Sequence, residues 1–230
     1  MKTLGLIGGT SWLSAADYYK IINEEINKQL GGLNSAKLFM YSLNYEEFKP
    51  SSDPNQWQQI ACQLTDIATR LETAGAECIV LCANTPHMVA DDIQKSIKIP
   101  LIHIAEVTAK AIVQQNIKTV ALLGTKFTME QSFFKDRLTD KGITTLIPNE
   151  EDRNFMHDSI FNELGKGVFT TATKQRYLSI INNLTAQGAQ GVIFGCTEIP
   201  MLIKEEECSI PVFDTLMLHA KAAADFALSV

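Results

Sequence analysis

The stretch KTLGLIG at residues 2–8 decides the fold, because a similar stretch, KTVALLG, returns at residues 118–124. Each is a short apolar run that ends in glycine and precedes a longer segment with helical spacing of apolar residues. Short strands that alternate with helices are typical of a parallel β-sheet covered by helices. The repeat therefore predicts an α/β chain of two similar lobes.

Two further repeats follow in the same order. AGA at residues 74–76 precedes a strand that leads to Cys82, and QGA at 187–189 precedes a strand that leads to Cys196. IPLI at 99–102 is repeated as IPVF at 210–213. We predict a first lobe of residues 1–98, to which 212–230 returns, and a second lobe of 99–211. Each lobe is a mostly parallel sheet flanked by helices, with the active site in the cleft between them.

The same spacing predicts the individual elements. Strands are expected at Thr3–Gly8, Lys37–Leu43, Cys78–Leu81, Leu101–Ile104, Val120–Gly124, Thr144–Ile147, Val192–Gly195 and Val212–Asp214. Helices are expected at Ala15–Gln29, Gln56–Ala74, Ala105–Gln115, Met129–Lys141, Lys174–Gln187 and Met217–Leu228.

The composition excludes several classes of partner. The 230 residues are 46% apolar and carry a net charge of -6 without a basic cluster, so neither nucleic acid nor an anionic membrane surface is expected as a partner. The apolar start ends at Gly8 and Gly9, which is too short for a secretory signal. Five cysteines at irregular spacing indicate a reducing compartment, the cytoplasm, and they lack the spacing of zinc ligands, so no metal is expected.

Cys82 and Cys196 each follow a predicted strand and precede a polar turn and a proline, Pro86 or Pro200. Ligands of open parallel sheets gather at the carboxyl ends of strands. A position near a helix start is expected to lower the pKa of a thiol. A thiolate and a thiol on opposite sides of one carbon suit removal of a proton from one face and its delivery to the other. Cys62, Cys78 and Cys208 lack this context and are expected to be structural.

Four motifs resemble the aspartate/glutamate racemase superfamily, and most closely its bacterial broad-specificity amino-acid racemases. They are GLIGGTSW at residues 5–12, LCANTPH at 81–87, ALLGTKFTM at 121–129 and GCTEIP at 195–200. The resemblance extends over essentially the whole chain. It implies a homodimeric racemase that acts on a small amino acid without pyridoxal phosphate or another cofactor, with Cys82 and Cys196 as its catalytic residues.

The resemblance also implies which side chains bind the substrate. The family positions that bind the carboxylate and the amino group of the substrate correspond to Thr10, Ser11, Asn84, Thr85, Thr125 and Thr197. Lys166 matches a family lysine near the carboxylate. Trp12 is a candidate to close the cleft. Glu198 is expected to hydrogen-bond backbone or substrate rather than to activate Cys196, since a like charge disfavours thiolate.

Two positions depart from the family pattern. Thr10 replaces a common methionine, and residues 44–54 lack the arginine that aspartate-specific members carry, offering only Lys49, Ser51 and Ser52. We therefore expect broad or non-aspartate specificity, with Ser52 a substrate-binding candidate. Other superfamily chemistries remain open: aspartate- or glutamate-specific racemase, hydantoin racemase or cis–trans isomerase. So does a two-lobed amino-acid-binding protein without turnover. His87 is either a tuner of the Cys82 thiol or a helix cap.

Overall fold

The computed structural model describes residues 1–48 and 53–229. The described chain divides into two compact units, residues 1–104 with the segment from His219 onward, and residues 105–218. None of the described helices is both long and apolar enough to cross a membrane.

The first unit contains a three-stranded parallel sheet of order β2-β1-β3 within the described residues. Side chains from the sheet and from its covering helices form a buried apolar core. The elements are β1 (Leu4–Gly8), α1 (Trp12–Leu30), β2 (Leu38–Ser42), α2 (Tyr45–Phe48), α3 (Pro54–Thr73), β3 (Cys78–Leu81) and α4 (Ala90–Ser96).

The second unit contains a parallel sheet of order β5-β4-β6-β7 in the part of the chain that is described. The predicted fold class, α/β with two parallel sheets flanked by helices, is thereby confirmed. The elements are α5 (Ile104–Gln114), β4 (Thr119–Gly124), α6 (Lys126–Glu130), α7 (Ser132–Thr139), β5 (Thr144–Leu146), α8 (Glu150–Asn162), α9 (Thr171–Ala186), β6 (Gly191–Gly195), α10 (Ile199–Leu202), β7 (Val212–Asp214) and α11 (Thr215–Leu228).

The repeated sequences make repeated backbone contacts. The Ile79 amide donates to Pro100 O at 2.9 Å, and the Val192 amide donates to Pro211 O at the same distance. In each unit, the segment that contains the proline therefore lies alongside the strand that precedes the cysteine. The extended segments after these two prolines differ in length. Leu101 forms only an isolated bridge with Ile79, whereas Val212–Asp214 is a strand.

Three sequence-based expectations need correction. Residues 101–104 are not a full strand, because α5 already begins at Ile104. The helix expected at 129–141 is two helices, separated by the extended backbone of Gln131. Val212–Asp214 pairs with β6 in the second sheet, so the change between units lies at residue 218 rather than 211, and residues up to 104 belong to the first unit.

Close packing brings α1 against the end of β1 in the first unit, and α6 against the end of β6 in the second. A Cβ on Gly8 would lie 2.6 Å from the Cβ of Ala15, and one on Gly195 would lie 2.9 Å from a methyl of Thr128. Because real Cβ atoms do not approach so closely, only glycine lets α1 and α6 begin this near to the strands. This proximity places the start of each helix beside the loop that follows the strand.

Candidate active site

Cys82 lies directly after β3 in the first unit and is fully buried. Its amide still donates to Ile7 O of β1 at 2.9 Å, and its carbonyl accepts from Ser14 Oγ of α1 at 2.8 Å. The 3-10 helix Thr85–Val89 follows, with Pro86 in its first turn. The thiol therefore sits at the carboxyl edge of the sheet, between α1 and this 3-10 helix.

Cys196 occupies the corresponding place in the second unit, directly after β6, and is 9% exposed. Its thiol donates to Glu198 Oε2 at 2.9 Å, and the Thr197 hydroxyl donates to the same oxygen at 2.9 Å. Thr125 is nearby, because Gly124 and Gly195, the residues preceding Thr125 and Cys196, are partners in the sheet. Polar groups and a thiol thus converge at this end of the second sheet.

Burial reverses the expected direction of the thiol pKa values. Desolvation raises the pKa of Cys82, because a low-dielectric surrounding disfavours the charged form. The pKa of Cys196 is raised first by burial and then by the charge of Glu198 and its acceptance of the thiol proton. The prediction of lowered values was wrong, because it counted the helix starts and ignored desolvation.

The structure also corrects the expectation for Glu198. Its carboxylate bonds the Cys196 thiol rather than only backbone or substrate. The side chain is 7% exposed, so this contact lies out of bulk water. Glu198 therefore adds to the effect of burial in raising the pKa of Cys196.

We expect Glu198→Gln to lower the pKa of Cys196, because it removes the negative charge that opposes thiolate formation. The pH at the midpoint of Cys196 alkylation by iodoacetamide, monitored by peptide mass spectrometry, should fall by about 1 pH unit or more. The midpoint for Cys82 is the internal control and should stay unchanged, since burial alone raises its pKa. An unchanged or higher midpoint for Cys196 would contradict this assignment.

Hydroxyl groups cap the first long helix and its short counterpart. Ser11 Oγ accepts from the Ser14 amide at 3.3 Å at the start of α1, and Thr125 Oγ1 accepts from the Thr128 amide at 3.4 Å at the start of α6. Thr10, beside Ser11, has a buried hydroxyl oxygen without a hydrogen-bond partner among residues 1–48 and 53–229. Buried hydroxyls are normally paired, so this oxygen has capacity for a ligand.

The other predicted substrate-binding residues differ in how far they are buried. Asn84 is buried and Thr85 half-buried in the turn after Cys82, whereas Trp12 is 71% exposed at the start of α1. Lys166 is exposed at the end of the 3-10 helix Leu164–Lys166. Its ammonium makes no hydrogen bond or ion pair with any described residue, so nothing ties it to Cys196. Ser52, like Lys49 and Ser51, lies outside the described residues.

His87 is buried rather than a surface cap. Its Nδ1 lies 2.9 Å from Ala83 O, and its Nε2 accepts from the Ile104 amide at 3.2 Å. It does not contribute to the pKa of Cys82, which is raised by burial alone. Sequence reasoning missed this contact and that of Ser14 with Cys82, because neither residue stands in a pattern that reveals its partner.

The fold and the two buried thiols define a class: α/β proteins built from two repeated parallel-sheet units, each with a cysteine directly after a strand that pairs with the first strand of its unit. The Asp/Glu/Hydantoin racemase family model matches residues 7–223. The chain belongs to this family, as the sequence motifs predict.

Individual relatives agree. A crystal structure of a candidate Asp/Glu racemase from Yersinia pestis is 48% identical, covers all of both chains and superposes with a TM-score of 0.94. An aspartate racemase homologue from Pyrococcus horikoshii is 35% identical over the whole of both chains, with a TM-score of 0.86. The broad specificity amino-acid racemase RacX of Bacillus subtilis is 22% identical over 95% of each chain.

Proposed function

We propose that this racemase-family chain is a pyridoxal-independent amino-acid racemase in which Cys82 and Cys196 are the two bases. One observation carries the proposal: each unit places a buried thiol at the same point, directly after the strand that pairs beside the first strand of its repeat. A reaction that inverts one carbon needs one proton-transfer group on each face, and two equivalent thiols match that need.

The proposed racemisation takes place in two proton-transfer steps. The thiolate of one cysteine removes the proton from Cα and becomes a thiol, while the electron pair of the broken C–H bond remains on Cα and its carboxylate. The opposite thiol then donates its proton to the other face, forms the new C–H bond and becomes a thiolate. The reverse substrate uses the same groups with their roles exchanged.

The thiolate must form although burial disfavours it. The ammonium group of an amino-acid substrate brings a positive charge, and an opposite charge nearby favours the ionised form of a thiol. For Cys196, Glu198 Oε2 at 2.9 Å is in position to accept the proton. We therefore propose that substrate binding, rather than the empty site, generates the reactive thiolate.

We assign substrate binding to the side chains that the family motifs indicate. Donors that are already oriented stabilise the charge that develops in the transition state. The buried hydroxyl oxygen of Thr10, which has no hydrogen-bond partner among the described residues, supports this role, whereas Lys166 and Ser52 rest on the sequence alone. The proposed set is Thr10, Ser11, Trp12, Ser52, Asn84, Thr85, Thr125, Lys166, Thr197 and Glu198.

The test is incubation of a panel of L-amino acids and an L-hydantoin in heavy water, without pyridoxal phosphate. We expect several L-amino acids to yield D-enantiomers that carry deuterium at Cα, and aspartate not to be the exclusive substrate. Deuterium and inversion are scored by NMR and chiral chromatography. Absence of both for every amino acid would contradict the proposal, and turnover of the hydantoin alone would favour hydantoin racemase instead.

We further propose that the chain is a cytoplasmic homodimer, as the resemblance implies. The edge strand β2 exposes the apolar side chains of residues 39–41, which is unusual for a free edge. Sedimentation velocity measures this association directly.

A further inference from the structure

Three histidines of the first unit are buried, and the ring of His87 contacts the rings of the other two, His103 and His219. The ring of His87 is 4.8 Å from that of His103 and 5.4 Å from that of His219, measured between centroids. Among residues 1–48 and 53–229, no group of three His, Cys, Asp or Glu side chains is arranged to hold a metal ion. The ring nitrogens of His87 and His219 make hydrogen bonds within the fold instead.

The hydrogen bonds of His87 define its tautomer. A carbonyl oxygen can only accept, so Nδ1, 2.9 Å from Ala83 O, carries the proton. Nε2 accepts from the Ile104 amide at 3.2 Å and is therefore unprotonated. Burial, and then the neighbouring His103 and His219, lower the pKa of His87, which keeps this ring neutral.

His219 is held by the same logic. Its Nε2 lies 2.7 Å from Ile102 O and must donate, so Nδ1 accepts from the Tyr18 hydroxyl at 2.8 Å. Burial lowers the pKa of His219 to about 4. Two neutral imidazoles thus join residues 102–104 to α1 and to the loop after Cys82, each through one donor and one acceptor.

The loop after Cys82 is restrained at each of its first three carbonyls. Cys82 O accepts from Ser14 Oγ, Ala83 O accepts from His87 Nδ1, and Asn84 O accepts from the His87 amide at 3.0 Å. Ser14 and Tyr18 lie one turn apart on α1, so they reach the loop and the histidine cluster from the same side. The carbonyl of Cys82 is held by α1 through Ser14. The next carbonyl, that of Ala83, is held by the His87 Nδ1 bond.

We propose that His87 is a positioning residue for Cys82: its Nδ1–H bond to Ala83 O fixes the Ala83–Asn84 peptide, one residue beyond Cys82, and thereby restrains the direction of the Cys82 thiol. This inference rests on the proposed function, in which Cys82 faces one side of the substrate carbon. Misplacing a reacting group by about 1 Å can cost 10²-fold in rate, so loss of this bond should be visible in kcat.

The test compares His87→Asn with His87→Gln. The asparagine amide can occupy the place of Nδ1 and donate to Ala83 O, whereas the glutamine amide reaches only the place of Nε2. We expect His87→Asn to retain racemisation within a few-fold, and His87→Gln to lose about 10- to 100-fold in kcat with little change in KM. Thermal unfolding of both variants controls for a general loss of structure.

Hydrogen exchange at Cα in heavy water separates positioning from a general defect. In His87→Gln, the enantiomer whose α-hydrogen faces Cys196 should still exchange, and the other should not, which is the pattern expected for loss of Cys82 alone. Equal losses in both histidine variants, or loss of exchange from both enantiomers, would overturn the inference.

A readout that does not depend on turnover distinguishes this inference from the proposed function. The alkylation rate of Cys82 by iodoacetamide should rise in His87→Gln and stay near the wild-type rate in His87→Asn, because only the first frees the loop. If the wild-type chain neither racemises nor exchanges any amino acid but this contrast is found, the proposed function fails and the positioning role stands. If the wild type racemises and the contrast is absent, the positioning role fails alone.

Discussion

Replacing Cys82 or Cys196 by serine is expected to lower racemisation in both directions by about 10²- to 10⁴-fold. Serine is close to cysteine in size, but its hydroxyl is a much weaker acid than a thiol and does not supply an anion near neutral pH. Each turnover uses one cysteine as base and the other as acid, so the L-to-D and D-to-L rates should fall together. Chiral chromatography of both reactions measures the effect.

The partial reaction distinguishes the two variants. In Cys82→Ser the enantiomer whose α-hydrogen faces Cys196 should still take up deuterium without inversion, and in Cys196→Ser the preference should switch to the other enantiomer. Cys62→Ser and Cys208→Ser are the matched controls, since Cys62 is exposed and Cys208 half-buried, and both should keep wild-type rates. Full activity of either catalytic variant would contradict the two-base assignment.

Replacing Gly9 by alanine is expected to have the largest effect on stability. Gly9 has φ +93°, and a Cβ there would meet the backbone oxygen and nitrogen of Leu43. A positive φ is unfavourable for alanine, and moving the backbone of Leu43 away from the new Cβ is also unfavourable. We therefore expect the free energy of unfolding to fall by roughly 2–5 kcal/mol. Urea denaturation with an unchanged m-value measures the change.

Gly75→Ala is the control for backbone strain without collision. Gly75 also has a positive φ, +103°, but a Cβ there meets no atom of the described residues within 4 Å, so the substitution should cost about 1–2 kcal/mol. Equal losses for the two variants would show that the contact with Leu43 is unimportant. Because Gly9 directly precedes Thr10 and Ser11, a folded Gly9→Ala protein should also show weaker substrate binding.

Much of the fold could be predicted from local patterns. The strands that carry the cysteines were predicted within one residue, because buried parallel strands are short continuous apolar runs bounded by turn residues. Helix α8 (Glu150–Asn162) was missed, since it opens with three acidic residues and buries only Met156, Ser159 and Ile160. Such a narrow apolar face gives little periodicity for sequence analysis to detect.

The sequence predicted the two cysteines of the candidate site but not the hydrogen bonds around them. Cys82 and Cys196 were found because a repeat in the sequence marks equivalent positions without any knowledge of contacts. The side-chain hydrogen bonds that Ser14, His87 and Glu198 make were not predicted, because their geometry depends on folding. His87 and Ile104 are far apart in the sequence, and no local pattern pairs them.

The sequence by itself determined where the two thiols stand, because strand ends and turns follow from the order of apolar and polar residues along a short segment. Only the tertiary structure decided how those thiols are protonated. Burial removes water from both, and the fold brings the Glu198 carboxylate to Cys196 but leaves Cys82 with desolvation alone. Both effects depend on what surrounds a side chain in space, which the order of residues does not state.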